Sequence, residues 1–464
     1  MKNLVFHISW AICFILSILS LQVNAQVPSD SIQHQVTSDS SHTNTEVLPF
    51  FISDVKKLSD EDLQNKKEGT YITGAPELSS DPLNGFGYGL EGSIYFNGKK
   101  TDPFFAYTPY RRKIDVTLFN TTKSQREIKV ALDIPYIFNT KWRLRMEGAY
   151  EVNPNLVYFG TTEKSLNGLS YYPNGDSSST PVNNASYKDY INSLTGPNQH
   201  YNQYIKQEAI YNISAERSIM DSKARVLGGF EVADVNIKTF SGNSLARNDQ
   251  NSGKILGVGN NLITILQGGF VYDTRDLETD PNKGIFAEVT NELSLKALGS
   301  AFNFNKTFVQ AKFYQPILPS VFKKVIFASR LGMGYTAGGA PFYEYQDQWS
   351  SEGSIEGLGG GNTLRGYKQS RFLGRVMNFA NFELRCRFYQ TTIFKQHLAF
   401  SAVPLFDIGG VWDNFKNFTT EFQNYRYSEG MGLRIVWNVN TVLRFDYAVS
   451  KEDGQFFFSL GHAF

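Results

Sequence analysis

Polar and apolar residues alternate with a period of two over long stretches of this chain. The pattern is plainest in Lys141-Trp142-Arg143-Leu144-Arg145-Met146-Glu147-Gly148-Ala149-Tyr150. Trp142, Leu144, Met146 and Tyr150 fall on one face and Arg143, Arg145 and Glu147 on the other, which predicts a strand rather than a helix. The same alternation sets Ile128, Val130, Leu132 and Ile134 against Glu127, Lys129 and Asp133. It returns with Phe382, Leu384, Cys386 and Phe388 against Glu383, Arg385 and Arg387, and with Leu443, Phe445 and Tyr447 against Arg444 and Asp446. One such strand fits two architectures. In a soluble sandwich the apolar face is the core, whereas in a membrane barrel it meets lipid and the charges line a wet lumen.

The connections separate the two. Carried along the chain, the pattern predicts about sixteen strands between residues 70 and 464. Connections after even-numbered strands are mostly short: Asn139, Asp221-Ser222, 277–283, 317–322 and Val439-Asn440. The longest all follow odd-numbered strands, at 153–200, 239–261, 337–374 and 413–424. A sandwich has no reason to segregate its loops, whereas an outer-membrane barrel keeps short turns at its periplasmic end and long loops outside. The segment 97–109 is long for an inner turn. The expected fold is therefore all-β, a transmembrane antiparallel β-barrel with its N-terminus in the periplasm.

Composition supports that reading. The chain has 37 Phe, 25 Tyr and 39 Gly, a mean hydropathy of −0.30 and no long apolar run after its first residues. A formal net charge of +1 supplies no basic excess for nucleic acid. Met1-Lys2, the apolar run from Trp10 to Leu21 and Val23-Asn24-Ala25 read as a signal peptide over residues 1–25. Cys13 has no lipobox before it, and cleavage after Ala25 leaves Cys386 as the one cysteine, so no internal disulfide is expected. Residues 26–69 form the next unit. Its first part, 26–45, reads as disordered, and 53–67 reads as one short polar helix capped near Ser59-Asp60-Glu61. The barrel takes residues 70–464.

The stretch Gly357-Leu358-Gly359-Gly360-Gly361-Asn362-Thr363-Leu364-Arg365-Gly366-Tyr367 is the strongest candidate site. Its glycines allow sharp folding, and Arg365 needs a carboxylate partner if it leaves water. A phosphate loop is a weak reading, because no Gly-Lys-Ser/Thr follows. Strand alternation points Asp407 into the lumen with Phe400 and Phe406 outward, and the loop carrying Arg365 precedes that wall. An Arg365–Asp407 ion pair is expected there.

Leu364-Arg365-Gly366-Tyr367 resembles the Leu/Val/Ile-Arg-Gly-Phe/Tyr motif of the BamA/TamA family of outer-membrane barrels, the bacterial surface antigen superfamily. Three more stretches carry the resemblance. Asp273, Arg275 and Asp276 followed by Pro281 and Gly284 are similar to its Asp-x-Arg-Asp and Pro-x-x-Gly turn. Leu405 to Asp413 is similar to its Phe-x-Asp-x-Gly-x-Val-Trp strand. The chain end, with Phe456, Phe458, Leu460, Gly461 and Phe464, looks like the β-signal read by the assembly machinery. Counting back by twos from Phe464 puts Leu460, Phe458 and Phe456 on the lipid face, and His462 is expected to face lipid too. Residues 66–89 resemble, more loosely, the start of members lacking POTRA domains. The resemblance implies a long loop folded into the lumen through Gly359, Gly360, Gly361, Leu364, Arg365, Gly366 and Tyr367. It also implies a weakly paired seam between the first and last strands, here 70–79 and 455–464. Gly74 and Pro76 make the first of these a poor ladder partner.

For function, the resemblance implies assistance in inserting or translocating outer-membrane components. The expected partners are the outer-membrane lipid bilayer and client outer-membrane proteins or lipids, with no nucleic acid. The alternative is a passive channel or uptake pore for a small solute. No enzyme is expected: His34, His42, His200, His397 and His462 have no sequence-local triad partners, and Gly168-Leu169-Ser170 is not a nucleophile elbow. No His, Cys and carboxylate cluster has metal-ligand spacing, so neither metal nor cofactor is expected.

Overall fold

A computed structural model describes residues 47–81, 83–173, 178–317 and 324–464. The predicted signal peptide and the stretch 26–45 lie outside the described residues. Sixteen strands form one antiparallel sheet in which each pairs with its neighbours in chain order. They begin with β1 (Thr70–Asp81), β2 (Gly85–Phe96), β3 (Arg112–Thr121), β4 (Arg126–Ile134) and β5 (Trp142–Val157). β6 (Gln203–Ile219), β7 (Ala224–Thr239), β8 (Gly259–Asp273), β9 (Gly284–Ser294), β10 (Phe304–Pro316) and β11 (Val325–Gly338) continue the wall. β12 (Val376–Ile393), β13 (Gln396–Trp412), β14 (Arg426–Trp437), β15 (Thr441–Val449) and β16 (Gly454–Leu460) complete it.

The alternation has the sense of a membrane barrel. Along β10, Lys306, Phe308, Gln310, Lys312 and Tyr314 are buried, while Val309, Ala311 and Phe313 are exposed. Exposed Leu118, Phe230, Leu266, Val289, Leu331, Phe406 and Met431 extend that apolar outer band to other strands. Among the described residues no helix is long and apolar enough to cross a membrane.

The short-turn end is crossed by residues 47–69. The expected single helix over 53–67 is instead a one-turn 3-10 helix, Asp54–Lys56, followed by a six-residue α-helix, Asp60–Asn65, whose Ser59 cap accepts from the Asp62 amide. The break at Lys57 lets the segment run as a strap across several turns. Ser53 N donates to Asp221 O, Leu58 N donates to Ala106 O, and Leu58 packs against Leu277 and Val439. Lys56 reaches Asp273 at 3.0 Å, and Lys66 Nζ donates to the carbonyls of Phe105 and Thr108 at 2.5 and 2.6 Å. The long inner segment 97–109 is thus the seat of the strap.

The sheet curls back on itself without closing its ladder. Among the described residues β1 pairs only with β2, and β16 only with β15. Side chains bridge the gap instead. Thr73 Oγ1 lies 2.8 Å from Thr441 Oγ1, Tyr95 donates to Asn440 O, and Asn440 Nδ2 donates to Asn97 at 3.0 Å. Glu91, a lumen-facing residue of β2, accepts from Leu460 N at 3.1 Å, reaching over the small Ala75 paired with it in β1.

The last four residues correct the sequence reading. The final strand stops at Leu460 rather than running to Phe464. Gly461 has φ +91°, a left-handed turn that breaks the parity count and sends the chain end into the lumen. Phe464 is buried with Tyr314, Ile326 and Ala328, its carbonyl oxygen 2.8 Å from Arg385 Nη2. His462 likewise faces inward, with Nε2 3.1 Å from Asp280. Phe456 is exposed on the outer face, and the Phe458 ring packs at a tilt against Phe445, centroids 4.9 Å apart.

Candidate functional site

The connection between β11 and β12 does not stay outside. Along one wall, Lys306 holds Glu344 at 2.9 Å, Thr290 Oγ1 donates to Trp349 O, and the Ser351 amide donates to Glu288. Along the other, the glycine-rich stretch lies flat. Gly359, Gly360 and Gly366 have φ of +113°, +100° and +90°. A Cβ on Gly359 would collide with the Lys368 carbonyl, so the chain can double back there only without a side chain. Gly361 fits beneath Phe457 and Arg444. Thr363 Oγ1 ties the turn by donating to Gly357 O and accepting from Gly359 N. Leu358, Leu364, Tyr367 and Phe372 form an apolar cluster with Phe308, Phe379 and Val411, and the rings of Tyr367 and Phe372 meet edge-on at 5.1 Å.

Arg365 is thereby aimed at the wall of β12 to β15. Its Nε and Nη2 form a bidentate fork with Asp407, both at 2.8 Å, and its own amide also donates to Asp407 at 3.0 Å. Nη1 reaches Glu383 at 2.7 Å and Asp446 at 3.0 Å. Arg434 closes the network, contacting Glu383 at 2.9 Å and Asp446 at 2.5 Å. Gly432 makes room for that last pair, because a Cβ there would collide with the Asp446 carboxylate. Asn381 Nδ2 donates to Asp407 at 2.7 Å and to Thr363 O at 2.8 Å, so it joins wall to loop. Side-chain exposure of Arg365, Asp407, Glu383, Asp446 and Arg434 is 1% or less. Charges this deeply buried persist only when fully paired.

The turn motif, between β8 and β9, meets the same loop at Glu352. Asp273, at the end of β8, accepts from the Arg275 amide and from its Nε, both at 3.0 Å. Arg275 continues to Glu352 of the lumen loop at 2.5 Å. Asp276 Oδ1 accepts from the amides of Leu277, Asn282 and Lys283, shaping the turn. Pro281 is buried within it, and Gly284 (φ +113°) would collide with the Thr274 carbonyl if it carried a Cβ. The structure therefore brings the β8–β9 turn motif into contact with the loop that carries the glycine-rich motif. Sequence reasoning paired Arg365 with Asp407 alone. Glu383 and Asp446 stood on the inward parity of their strands, but nothing in the alternation says which inward carboxylates meet across a lumen. Lys56 and its contact with Asp273 carried no sequence signal.

With this geometry in view, comparison with known proteins is informative. Residues 118–464 match the Omp85 superfamily domain. The chain belongs to the Omp85 superfamily. Residues 48–111 match a domain of unknown function, DUF5982, which covers the strap together with β1 and β2. The outer membrane protein assembly factor BamA of Nitratidesulfovibrio vulgaris is 25% identical over 226 residues, 44% of this chain and 26% of that protein. The chain thus matches about a quarter of that relative's length. CdiB from Escherichia coli superposes with a TM-score of 0.51 at 10% identity, over 84% of this chain and 62% of CdiB, a likeness of fold. BamA from Haemophilus ducreyi lacking POTRA domains 1–3 gives 0.49 at 15% identity, over 85% and 70%. The protein is an outer-membrane Omp85 barrel.

Proposed function

We propose that this Omp85 barrel inserts or translocates other outer-membrane components by admitting them at the seam between β1 and β16. The observation that carries the reading is that seam. Two strand edges face each other with no ladder among the described residues, and an unpaired edge is a template on which an incoming strand can pair. Gly74 and Pro76 weaken β1 further, and β16 is short and ends in a turn away from its neighbour. Membership of the superfamily and similarity to an assembly factor support the same reading. Catalysis plays no part in it. A passive pore has no observation in its favour, since the lumen loop and the strap both cross the interior. In this proposal the strap end is periplasmic and the long loops are outside, so a tag within 153–200 is surface-accessible and one near Gln26 is not.

The test is a lock. Thr73→Cys with Thr441→Cys, in a Cys386→Ser background, ties β1 to the start of β15 just past the end of β16, where the two hydroxyls lie 2.8 Å apart, and so closes the strap end of the seam. Cells depleted of the native protein and given the oxidised variant should show broad loss of outer-membrane proteins, reversed by reductant. Full function of the oxidised form, or loss of one solute's uptake alone, would reject lateral passage.

A further inference from the structure

The strap meets the barrel over one sector of its rim, between two turns. The Phe50 ring lies 5.6 Å from Tyr136 of the β4–β5 turn, and the Ser53 amide donates to Asp221 of the β6–β7 turn. Turn tips that face water are ordinarily Asn, Asp or Gly, because these tolerate left-handed backbone. Here the tips carry Phe138 at φ +53° and Met220 at φ +48°, and the two side chains are 65% and 61% exposed. Phe51, between the two strap contacts, is 66% exposed. The β12–β13 turn repeats the pattern on another sector, with exposed Phe394 at φ +49°. Backbone strain and bared apolar surface both oppose stability, and they persist together where an apolar phase meets the tips.

The patch continues the lipid-facing wall. Ile137, next to Phe138, packs against the outer-face cluster of Leu132, Ile134 and Met146. Trp142, Arg217 and Val226 pair in one row across β5, β6 and β7, on the face opposite buried Arg143, Glu216 and Arg225. All three are exposed, and the Arg217 guanidinium lies over the Trp142 ring at 5.6 Å. An arginine on a tryptophan, on the outer wall of a barrel, marks the edge of the hydrocarbon, where both side chains reach headgroups. Met220 follows Arg217 by three residues. For a strand rising about 3.3 Å per residue and tilted about 45°, that is roughly 7 Å further along the barrel axis. The headgroup layer extends about 5–7 Å beyond the hydrocarbon, so the tip falls at its depth. Exposed Lys141, its Nζ 5.5 Å from the Phe50 ring, adds a second cation to the sector.

We propose that this sector of the rim, Phe51, Phe138 and Met220 with Arg217 and Lys141, is a lipid-contact surface that seats the start of the strap in the phospholipid headgroup layer. The apolar tips meet the boundary between headgroups and acyl chains, and the two cations meet phosphates. The bilayer thereby holds one end of the strap, while Lys56, Leu58 and Lys66 hold its crossing of the lumen. The inference concerns the strap alone and stands whatever passes the seam.

The test uses the full chain in phospholipid vesicles. Phe51→Cys, Phe138→Cys and Met220→Cys, each in a Cys386→Ser background, carry a nitroxide, and Lys57→Cys, exposed in the middle of the strap, is the aqueous control. Oxygen concentrates in the bilayer and a nickel chelate in water. The ratio of oxygen to nickel collision rates should be several-fold higher at 51, 138 and 220 than at 57, and heat-modifiability on gels shows that each labelled barrel is folded. A nitroxide is itself apolar, so Phe51→Trp supplies an independent reading. Its added fluorescence over the wild type should be quenched more by phospholipid brominated near the headgroup end of the acyl chain than by phospholipid brominated near the chain terminus. Collision ratios at 51, 138 and 220 equal to that at 57, or added fluorescence that no brominated lipid quenches, would place the patch in water and overturn the proposal.

Discussion

Two parts of one barrel wall are built on opposite plans. From β12 to β15 every strand is laddered to its neighbours, with one register shift at Arg387/Tyr389, and five buried side chains, Arg365, Asp407, Glu383, Asp446 and Arg434, interlock within 3.2 Å. A few residues further round, β16 and β1 meet with no ladder among the described residues; a hydroxyl contact ties β1 to the start of β15, an amide contact joins Asn97 to Asn440, and one carboxylate, Glu91 of β2, reaches Leu460 of β16. The first region cannot move piecemeal, because removing one ion strands its partners. The second can open one contact at a time. A rigid clamp beside a loose seam lets the wall part at one place without losing its shape. Both regions share Arg444, which contacts Asn362 of the loop and Ser459 of the last strand.

The largest expected effect comes from breaking the clamp. Arg365→Ala takes the bidentate partner from buried Asp407, leaving it the Asn381 amide, while Glu383 keeps Arg434 and Arg385 and Asp446 keeps Arg434. The loss should cost about 3–5 kcal/mol, the range for removing one member of a buried ion pair. Unfolding temperature should drop, and residues 339–375 should become sensitive to protease in the folded barrel. A barrel that still migrates as heat-modifiable, with its loop newly cleaved, fits the clamp. Unchanged cleavage would mean that glycine turns and the apolar cluster alone hold the loop.

Much of this was legible before any coordinates. Alternation marked the strands because a barrel wall makes every other residue choose between lipid and water, and loop lengths sorted by parity because the two ends differ. Arg365 and Asp407 could be matched because each was the conspicuous charge of its own stretch. The rest failed for physical reasons. Parity counting assumes extended backbone, and Gly461 with φ +91° ended that assumption four residues early, turning His462 and Phe464 inward. The strap was unreadable because its contacts go to turns that are distant in sequence, such as those of Asp221, Leu277 and Val439. Charge networks across a lumen depend on barrel diameter and stagger, which no single strand encodes.

A smaller effect sharpens the seam side. Glu91→Ala removes the acceptor of the Leu460 amide and should speed hydrogen exchange there about five- to tenfold, as expected for a hydrogen bond worth about 1 kcal/mol. Glu91→Gln keeps an acceptor oxygen and should restore most of the protection. Amides in the interior of β13, between two ladders, should not respond in either variant. If Leu460 exchanges at the wild-type rate in Glu91→Ala, the carboxylate is not what holds the last strand.

The smallest effect concerns the strap below that seam, and its sign follows from one buried amine. Burial pushes the Lys66 ammonium down to about 7; neighbouring Asp102 acts in the opposite direction, and Arg111 adds to the shift. When the strap lifts, Lys66 returns to water and to an ordinary lysine value near 10.5. Above pH 7 the docked strap therefore holds fewer protons than the free one, and undocking takes a proton up. Docking must tighten as pH rises from 7 toward 10, by about fivefold between pH 7 and 8, and lose its pH dependence below 7, where both forms are charged. Even neutral, the amine still donates to Phe105 O and Thr108 O, so the contact survives the change. A spin label at Val55, which is exposed on the strap, reports the docked fraction through its distance to a label at Phe138 on the β4–β5 turn. Lys66→Met removes the titrating group and should flatten the curve. A docked fraction that falls as pH rises, or the same curve in Lys66→Met, would show that the strap is set by the apolar contacts of Leu58 and not by Lys66.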